Sequence, residues 1–126
     1  MKLSTVMIAN AVVSVLFGLG FILAPAQLLS LYGMTADAGG LLIGRLFGAS
    51  LTGYALLTWL ARNLAGGEVR QTIVTALFGG FAVGLIVSFV GQLSGLVNAL
   101  GWSTVVIYAL FTAAYGYFRF MKPAAG

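Results

Sequence analysis

The sequence contains no cysteine and no histidine, and only two of its 126 residues are acidic. Without cysteine the chain has no disulfide, no thiolate metal site and no cysteine nucleophile. Without histidine it lacks the side chain most often used for general acid–base catalysis. Charged residues make up 6% of the chain, against about a quarter of an ordinary soluble domain. Together with 61% hydrophobic residues, this composition excludes a water-facing globular surface and indicates an integral membrane protein.

Long uncharged stretches determine how often the chain crosses the membrane. No charged residue lies between Lys2 and Asp37, nor between Arg70 and Arg119. The second stretch is too long for one crossing, because a bilayer core takes about 20 helical residues. The glycine-flanked run 91–95 therefore predicts a turn. The sequence predicts an all-α membrane protein, a single domain over residues 1–126, with four spans at about 3–24, 38–60, 69–90 and 97–119.

The first span has an alternative interpretation as a signal peptide, because Lys2 precedes an apolar run that ends in Ala24-Pro25-Ala26. The run exceeds the roughly 7 to 15 residues of a signal core, so we expect a span that is not cleaved. The following segment, Gln27 to Gly33, is too short to cross the bilayer and too apolar for a solvated loop. It predicts a short interfacial segment between the first two spans, with Tyr32 at headgroup depth.

Basic residues are distributed unevenly between the two ends of the predicted four-helix bundle. Alternating spans bring five of them to one end: Lys2, Arg62, Arg70, Arg119 and Lys122. Positive residues beside span ends are retained in the cytoplasm, so we expect both termini and the middle loop to face inward. Because these residues are dispersed and form no basic stripe, we expect no nucleic-acid partner.

Small residues recur every four positions within the spans. In a membrane, helices associate through close packing and interhelical hydrogen bonds, and stripes of small residues let their backbones approach. We expect these stripes to pack the bundle inside one subunit, or alternatively to present one face that builds a homo-oligomer. The predicted helix-packing residues are Ser14 and Gly18 in the first span, Gly40, Gly44 and Gly48 in the second, and Ala76, Gly80 and Gly84 in the third.

Aromatic and amide side chains are predicted to lie at two depths. Tyr54 and Tyr108 lie deep in their spans, where a hydroxyl needs a partner, and predict internal hydrogen bonds. Asn10 lies at a similar depth and predicts an interhelical hydrogen bond. Four aromatic residues near span ends are typical of interfacial belts: Trp59, Trp102, Tyr115 and Tyr117.

Arg45 lies about seven residues inside the second predicted span, whereas Arg70 and Arg119 lie at the ends of theirs. At that depth an arginine costs about 2.5 to 3.5 kcal/mol on insertion scales. Ser88, Gln92 and Asn98 lie at neighbouring depths, and we predict that they form a polar cluster with Arg45. The guanidinium either snorkels to lipid phosphates or caps carbonyls of the interfacial segment, or contacts another protein, or binds a lipid headgroup or a small anionic or polar solute.

The groups that perform chemistry in other small membrane proteins are missing. Proton-coupled transporters need a carboxylate within the membrane, whereas Asp37 and Glu68 fall in caps or loops. Scattered hydroxyls and one arginine supply no general base, nucleophile or metal set. We therefore expect no enzymatic activity, no catalytic residue, no metal and no cofactor.

Several short motifs carry a family resemblance: Leu16 to Gly20, Pro25, Tyr32-Gly33, Gly44 to Gly48 and Trp59 to Arg62. Over nearly the whole chain they resemble small bacterial four-span membrane proteins of unknown function with a DoxX-like layout. The resemblance implies a four-helix membrane fold and a location in the bacterial inner membrane. It supplies no catalytic residues, and although similarity to DoxX-like proteins suggests association with redox membrane complexes, this chain has no redox group of its own.

Two functions remain open at this point. The leading hypothesis is a non-enzymatic multi-pass protein that self-associates, or serves as an accessory subunit of a larger membrane complex, through a glycine-lined face. The alternative is a membrane protein that binds or transports a lipid headgroup or a small anionic or polar solute through Arg45. The expected partners are the lipid bilayer, a second copy or a larger membrane complex, and a bound lipid.

Overall fold

A computed structural model describes residues 2–121, within which all regular structure is helical. Four of the helices are long and apolar enough to cross a membrane, the last of them continuing into a π-helical turn. The predicted four-span, all-α fold is confirmed, and the chain is a multi-pass membrane protein. The elements are α1 (Leu3–Leu23), α2 (Pro25–Leu31), α3 (Ala38–Ala61), α4 (Glu68–Leu93), α5 (Gly101–Gly116) and the π-helical turn (Tyr117–Met121).

Local chemistry sets the helix boundaries. Pro25 begins α2 at the first helical position, where its missing N–H costs no hydrogen bond. Asp37 caps α3, since its carboxylate accepts a hydrogen bond of 2.9 Å from the backbone N–H of Gly40. The predicted turn begins later than expected, because α4 continues through Gly91 to Leu93. The chain reverses at Gly95 instead, whose φ of 83° is a left-handed conformation that favours glycine.

The spans pack as two pairs, α1 with α3 and α4 with α5. The two pairs meet at the end of the bundle formed by the start of α1, the end of α3, the start of α4 and the π-helical turn. We call this the terminal end, and we call the opposite end, which carries α2, the α2 end. A buried core joins the pairs at the terminal end: Leu3, Val6, Met7, Ala61, Val74, Leu77, Tyr115 and Phe118.

Large apolar side chains cover the outside of the bundle. Leu16, Leu60 and Leu110 are all more than half exposed, and each belongs to a different span. In water such a surface would be a liability, but lipid tails are as apolar as leucine and solvate it. The exposed surface therefore agrees with the environment predicted from composition.

Candidate functional site

A buried polar network crosses the middle of the bundle. The side-chain amide of Asn10 donates a hydrogen bond of 2.7 Å to the hydroxyl of Tyr115. The hydroxyl of Ser14 donates one of 2.9 Å to the Asn10 side-chain oxygen. The predicted interhelical bond of Asn10 is thus present, and it links α1 to α5. Tyr115, which the sequence assigned to an interfacial belt, is instead fully buried with this partner.

Stacked aromatic rings lie beside this network. The ring of Phe81 stacks on Phe111 at 5.0 Å and on Tyr115 at 5.8 Å between centroids. Tyr54 and Tyr108 flank Phe81 from α3 and α5, with centroid distances of 6.3 Å and 5.7 Å. We call these five residues the aromatic floor, because an internal cavity begins on their side facing the α2 end.

The cavity fills the space between the two helix pairs from the aromatic floor to the α2 end. It has a volume of about 500 Å³, and all four spans contribute to its wall. That volume lies in the range of small-molecule binding sites, about 300 to 1,000 Å³. None of the residues that line it is charged. The arrangement therefore suits an uncharged, largely apolar molecule.

The segment at the α2 end closes the cavity and ties the two helix pairs together. The side chain of Asn98 donates a hydrogen bond of 3.0 Å to the carbonyl of Leu31, and its backbone N–H donates another of 3.0 Å to the carbonyl of Tyr32. The side chain of Gln92 donates one of 3.0 Å to the Asn98 carbonyl. Tyr32 itself is buried and lines the cavity, so it packs inward beneath α2.

One side of the cavity is open to the membrane. Val83 and Val87 of α4 line the cavity and yet are 62% and 65% exposed. Phe47, on the facing side of α3, also lines it and is 42% exposed. Residues that belong both to the wall and to the outer surface form a rim. The cavity therefore opens sideways between α3 and α4, at a depth reached by lipid tails.

The predicted polar cluster is divided in the structure. Gln92 and Asn98 come together at the α2 end, as described above. Ser88 lines the cavity, and its hydroxyl donates to the carbonyl of Leu85 in its own helix at 3.1 Å. Arg45 does not join them and is absent from the cavity wall.

Arg45 instead contacts the end of α1. Its Nε donates a hydrogen bond of 3.3 Å to the carbonyl of Ile22, in the last turn of α1. The final carbonyls of a helix have no partner within that helix, so a basic side chain stabilises them. The prediction considered depth along α3 and not position around its axis. Arg45 lies one helical turn from Gly48, beside the stripe that packs on α1, and so points away from the face that lines the cavity. The predicted alternative placed the guanidinium on carbonyls of the interfacial segment, whereas the carbonyl that it binds belongs to α1.

The glycines at the centre of the predicted stripes face other helices of the same chain. A Cβ added to Gly48 would lie 2.6 Å from the carbonyl oxygen of Gly18, so α1 and α3 touch through their backbones. Gly80 lies against the Tyr54 hydroxyl and Gly84 against the Tyr108 ring. Gly44 also faces other helices, beside Phe21 of α1 and Pro25 of α2. The remaining predicted packing residues have other places: Gly40 in the α3 cap, Ser14 in the Asn10 network, and Ala76 on the exposed surface.

The sequence did not predict the aromatic floor or the cavity. The relevant signal was the placement of Phe81 and Phe111 in the middle of spans three and four, opposite the polar Asn10. Such a signal is weak in a chain with nine phenylalanines. No protein-family model, curated protein or solved structure matches the chain, so the site rests on its own geometry.

Proposed function

We propose that this protein is a non-enzymatic membrane protein that takes up an uncharged apolar molecule from the bilayer and holds it in the cavity between its two helix pairs. The observation that carries this proposal is the 500 Å³ cavity, walled by all four spans and free of charged side chains. An apolar space left unfilled inside a bundle forfeits packing contacts on every side. A lipid chain or similar molecule restores those contacts, and the rim between α3 and α4 admits it.

Retention of a bound molecule tests the proposal. We expect native mass spectrometry from a mild detergent to detect a co-purified apolar molecule on the wild-type protein. Thr104→Phe, which fills the cavity from α5, should lose it. Val106→Phe is the matched control, because Val106 is 52% exposed and lies outside the cavity wall on the same helix.

A second pair of variants covers the case in which Thr104→Phe does not fold. Val87→Trp blocks the rim, whereas Ile86→Trp places the same ring on its 64% exposed neighbour outside the wall. The proposal is wrong if the blocked and control variants retain the same molecule at the same occupancy.

Self-association, or an accessory role in a larger membrane complex, stays a prediction. The glycines named for it, Gly48 and Gly84 above all, have neighbours within their own chain. A second copy would therefore have to bind another face. The subunit number in the same mass spectra measures this directly.

Binding of a lipid headgroup or anionic solute by Arg45 also stays a prediction, separate from the cavity. The side chain is exposed, and only its Nε donates to a described residue. The two terminal amino groups of the guanidinium are the ones that would receive a phosphate. Loss of bound anionic lipid on Arg45→Leu, with the cavity molecule retained, would support it.

The orientation proposed for the protein follows from its charges. Lys2, Arg62, Arg70 and Arg119 lie at the terminal end, and Lys122 lies outside the described residues. By the positive-inside rule the terminal end faces the cytoplasm, which puts the α2 end on the outer side of a bacterial inner membrane. A relationship to the DoxX-like proteins stays a prediction, as does the location that it implies.

A further inference from the structure

The aromatic floor contains two hydroxyls that receive no hydrogen-bond partner from the described part of the chain. Neither Tyr54, which is 37% exposed, nor the half-buried Tyr108 makes a side-chain hydrogen bond to another residue within 2–121. This contradicts the expectation from sequence that both would bond inside the bundle. Tyr115, the third tyrosine of the floor, has its partner in Asn10.

The two tyrosine side chains approach neighbouring turns of α4 on the cavity side. Tyr54 approaches from α3 and brings its hydroxyl against Gly80, while Tyr108 approaches from α5 and lies over Gly84, one turn further along α4. Both residues line the cavity, and both flank the ring of Phe81. The two glycines make room for the tyrosines, so this arrangement is built into the α4 stripe.

Depth makes these hydroxyls different from the others in the wall. Tyr32 and Thr104 also line the cavity without a side-chain hydrogen bond in the described range, but they lie towards the α2 end. Near a membrane surface, water and headgroups supply partners. Tyr54 and Tyr108 each lie seven residues from the nearer end of their helix, about 10 Å inside the span, where an unpaired hydroxyl is costly.

We infer that Tyr54 and Tyr108 donate hydrogen bonds to an oxygen of the bound molecule, which is therefore an uncharged lipid with a hydroxyl or carbonyl group, held with that group on the aromatic floor. The inference rests on the proposed function and specifies its ligand class. Charged lipids are disfavoured because the wall offers no counter-ion. The apolar part of the lipid extends from the floor along Val83 and Val87 to the rim.

A competition experiment tests this inference. The protein in detergent micelles is given equal amounts of 1-hexadecanol and hexadecane, and native mass spectrometry measures the ratio of bound alcohol to bound alkane. A net hydrogen bond changes an equilibrium constant by about fivefold. The ratio should therefore fall by about fivefold in Tyr54→Phe or Tyr108→Phe, and further in the double variant, while alkane binding stays unchanged.

Two matched controls locate the effect. Tyr32→Phe removes a hydroxyl at the other end of the same cavity, and Tyr117→Phe removes one outside its wall. Both should leave the ratio unchanged. Because each substitution keeps the ring, we expect every variant to fold, and the single variants carry the test should the double variant not do so.

The possible failures are distinguishable. An unchanged ratio in Tyr54→Phe and Tyr108→Phe, or a fall in Tyr32→Phe instead, would overturn the inference and leave the proposed cavity function standing. The proposed function itself would be overturned if the wild-type protein bound neither probe, or if Thr104→Phe bound both probes as well as the wild-type protein does.

Discussion

The two halves of this bundle use the same four helices in opposite ways. At the terminal end, Leu3, Val74, Leu77 and Tyr115 are 2% exposed or less, and their side chains fill the space between the helix pairs. Towards the α2 end the same pairs enclose a cavity of about 500 Å³. Close packing within each pair continues into the open half, where Gly48 of α3 meets Gly18 of α1 and Gly84 of α4 lies against the Tyr108 ring of α5. The comparison teaches that small residues fix the pairs, whereas larger side chains decide where the pairs meet.

The largest expected effect comes from breaking a pair on which both halves depend. In Gly48→Ala the new methyl group would meet the Gly18 backbone, which cannot move aside as a side chain can. We expect a loss of about 3 kcal/mol of unfolding free energy, measured by denaturant titration in micelles. Gly53→Ala is the control on the same helix, because nothing lies within 4 Å of its added methyl group. Equal effects of the two substitutions would contradict the α1–α3 contact.

A smaller effect is expected at the boundary between the halves. Asn10→Ala removes the partner of the buried Tyr115 hydroxyl, and we expect a loss of about 1 to 2 kcal/mol, measured by the same titration. Adding Tyr115→Phe should restore part of this loss, because the double variant no longer leaves the Tyr115 hydroxyl unpaired, while Ser14 loses its acceptor in both variants. If the two losses simply add, the hydrogen bond does not couple α1 to α5.

The smallest effect on the bundle is expected from Arg45→Leu. The substitution removes the donor to the Ile22 carbonyl, so hydrogen exchange should become faster in α2 and the last turn of α1. We expect unfolding free energy to change by less than about 1 kcal/mol, since a favourable gain in apolarity offsets the lost cap. The cavity molecule should be retained. If Arg45→Leu instead lost the cavity molecule, Arg45 would belong to the binding site, as the sequence predicted.

Hydropathy alone predicts most of the fold, because the thickness of a bilayer dictates how long an apolar helix must be. It predicts neither the pairing of the spans nor their rotation. Arg45 and Ser88 lie at similar distances from the α2 end, seven residues inside α3 and five residues inside α4, but Arg45 faces the end of α1 because it lies beside Gly48 on α3. The depth of a residue in the membrane follows from counting residues along its helix. The direction in which it points depends on which side of that helix packs against another helix.

Burial was also hard to predict near span ends. Tyr115 and Tyr117 lie two residues apart, and the sequence placed both in an interfacial belt. Only Tyr117 is exposed, while Tyr115 bonds Asn10 in the core. The choice depends on a partner more than a hundred residues away in sequence, which composition and spacing do not identify.

The central claim is that a lipid molecule occupies the open half of the bundle. Crystals grown in a lipid phase that contains a brominated neutral lipid would test it most directly, through the anomalous signal of bromine. We predict a bromine peak inside the cavity, between the aromatic floor and α2, that disappears in Thr104→Phe and persists in Val106→Phe. The account would be contradicted if bromine were found only along the outer surface and the α1–α3 pair were packed against the α4–α5 pair along its full length, with no cavity between them.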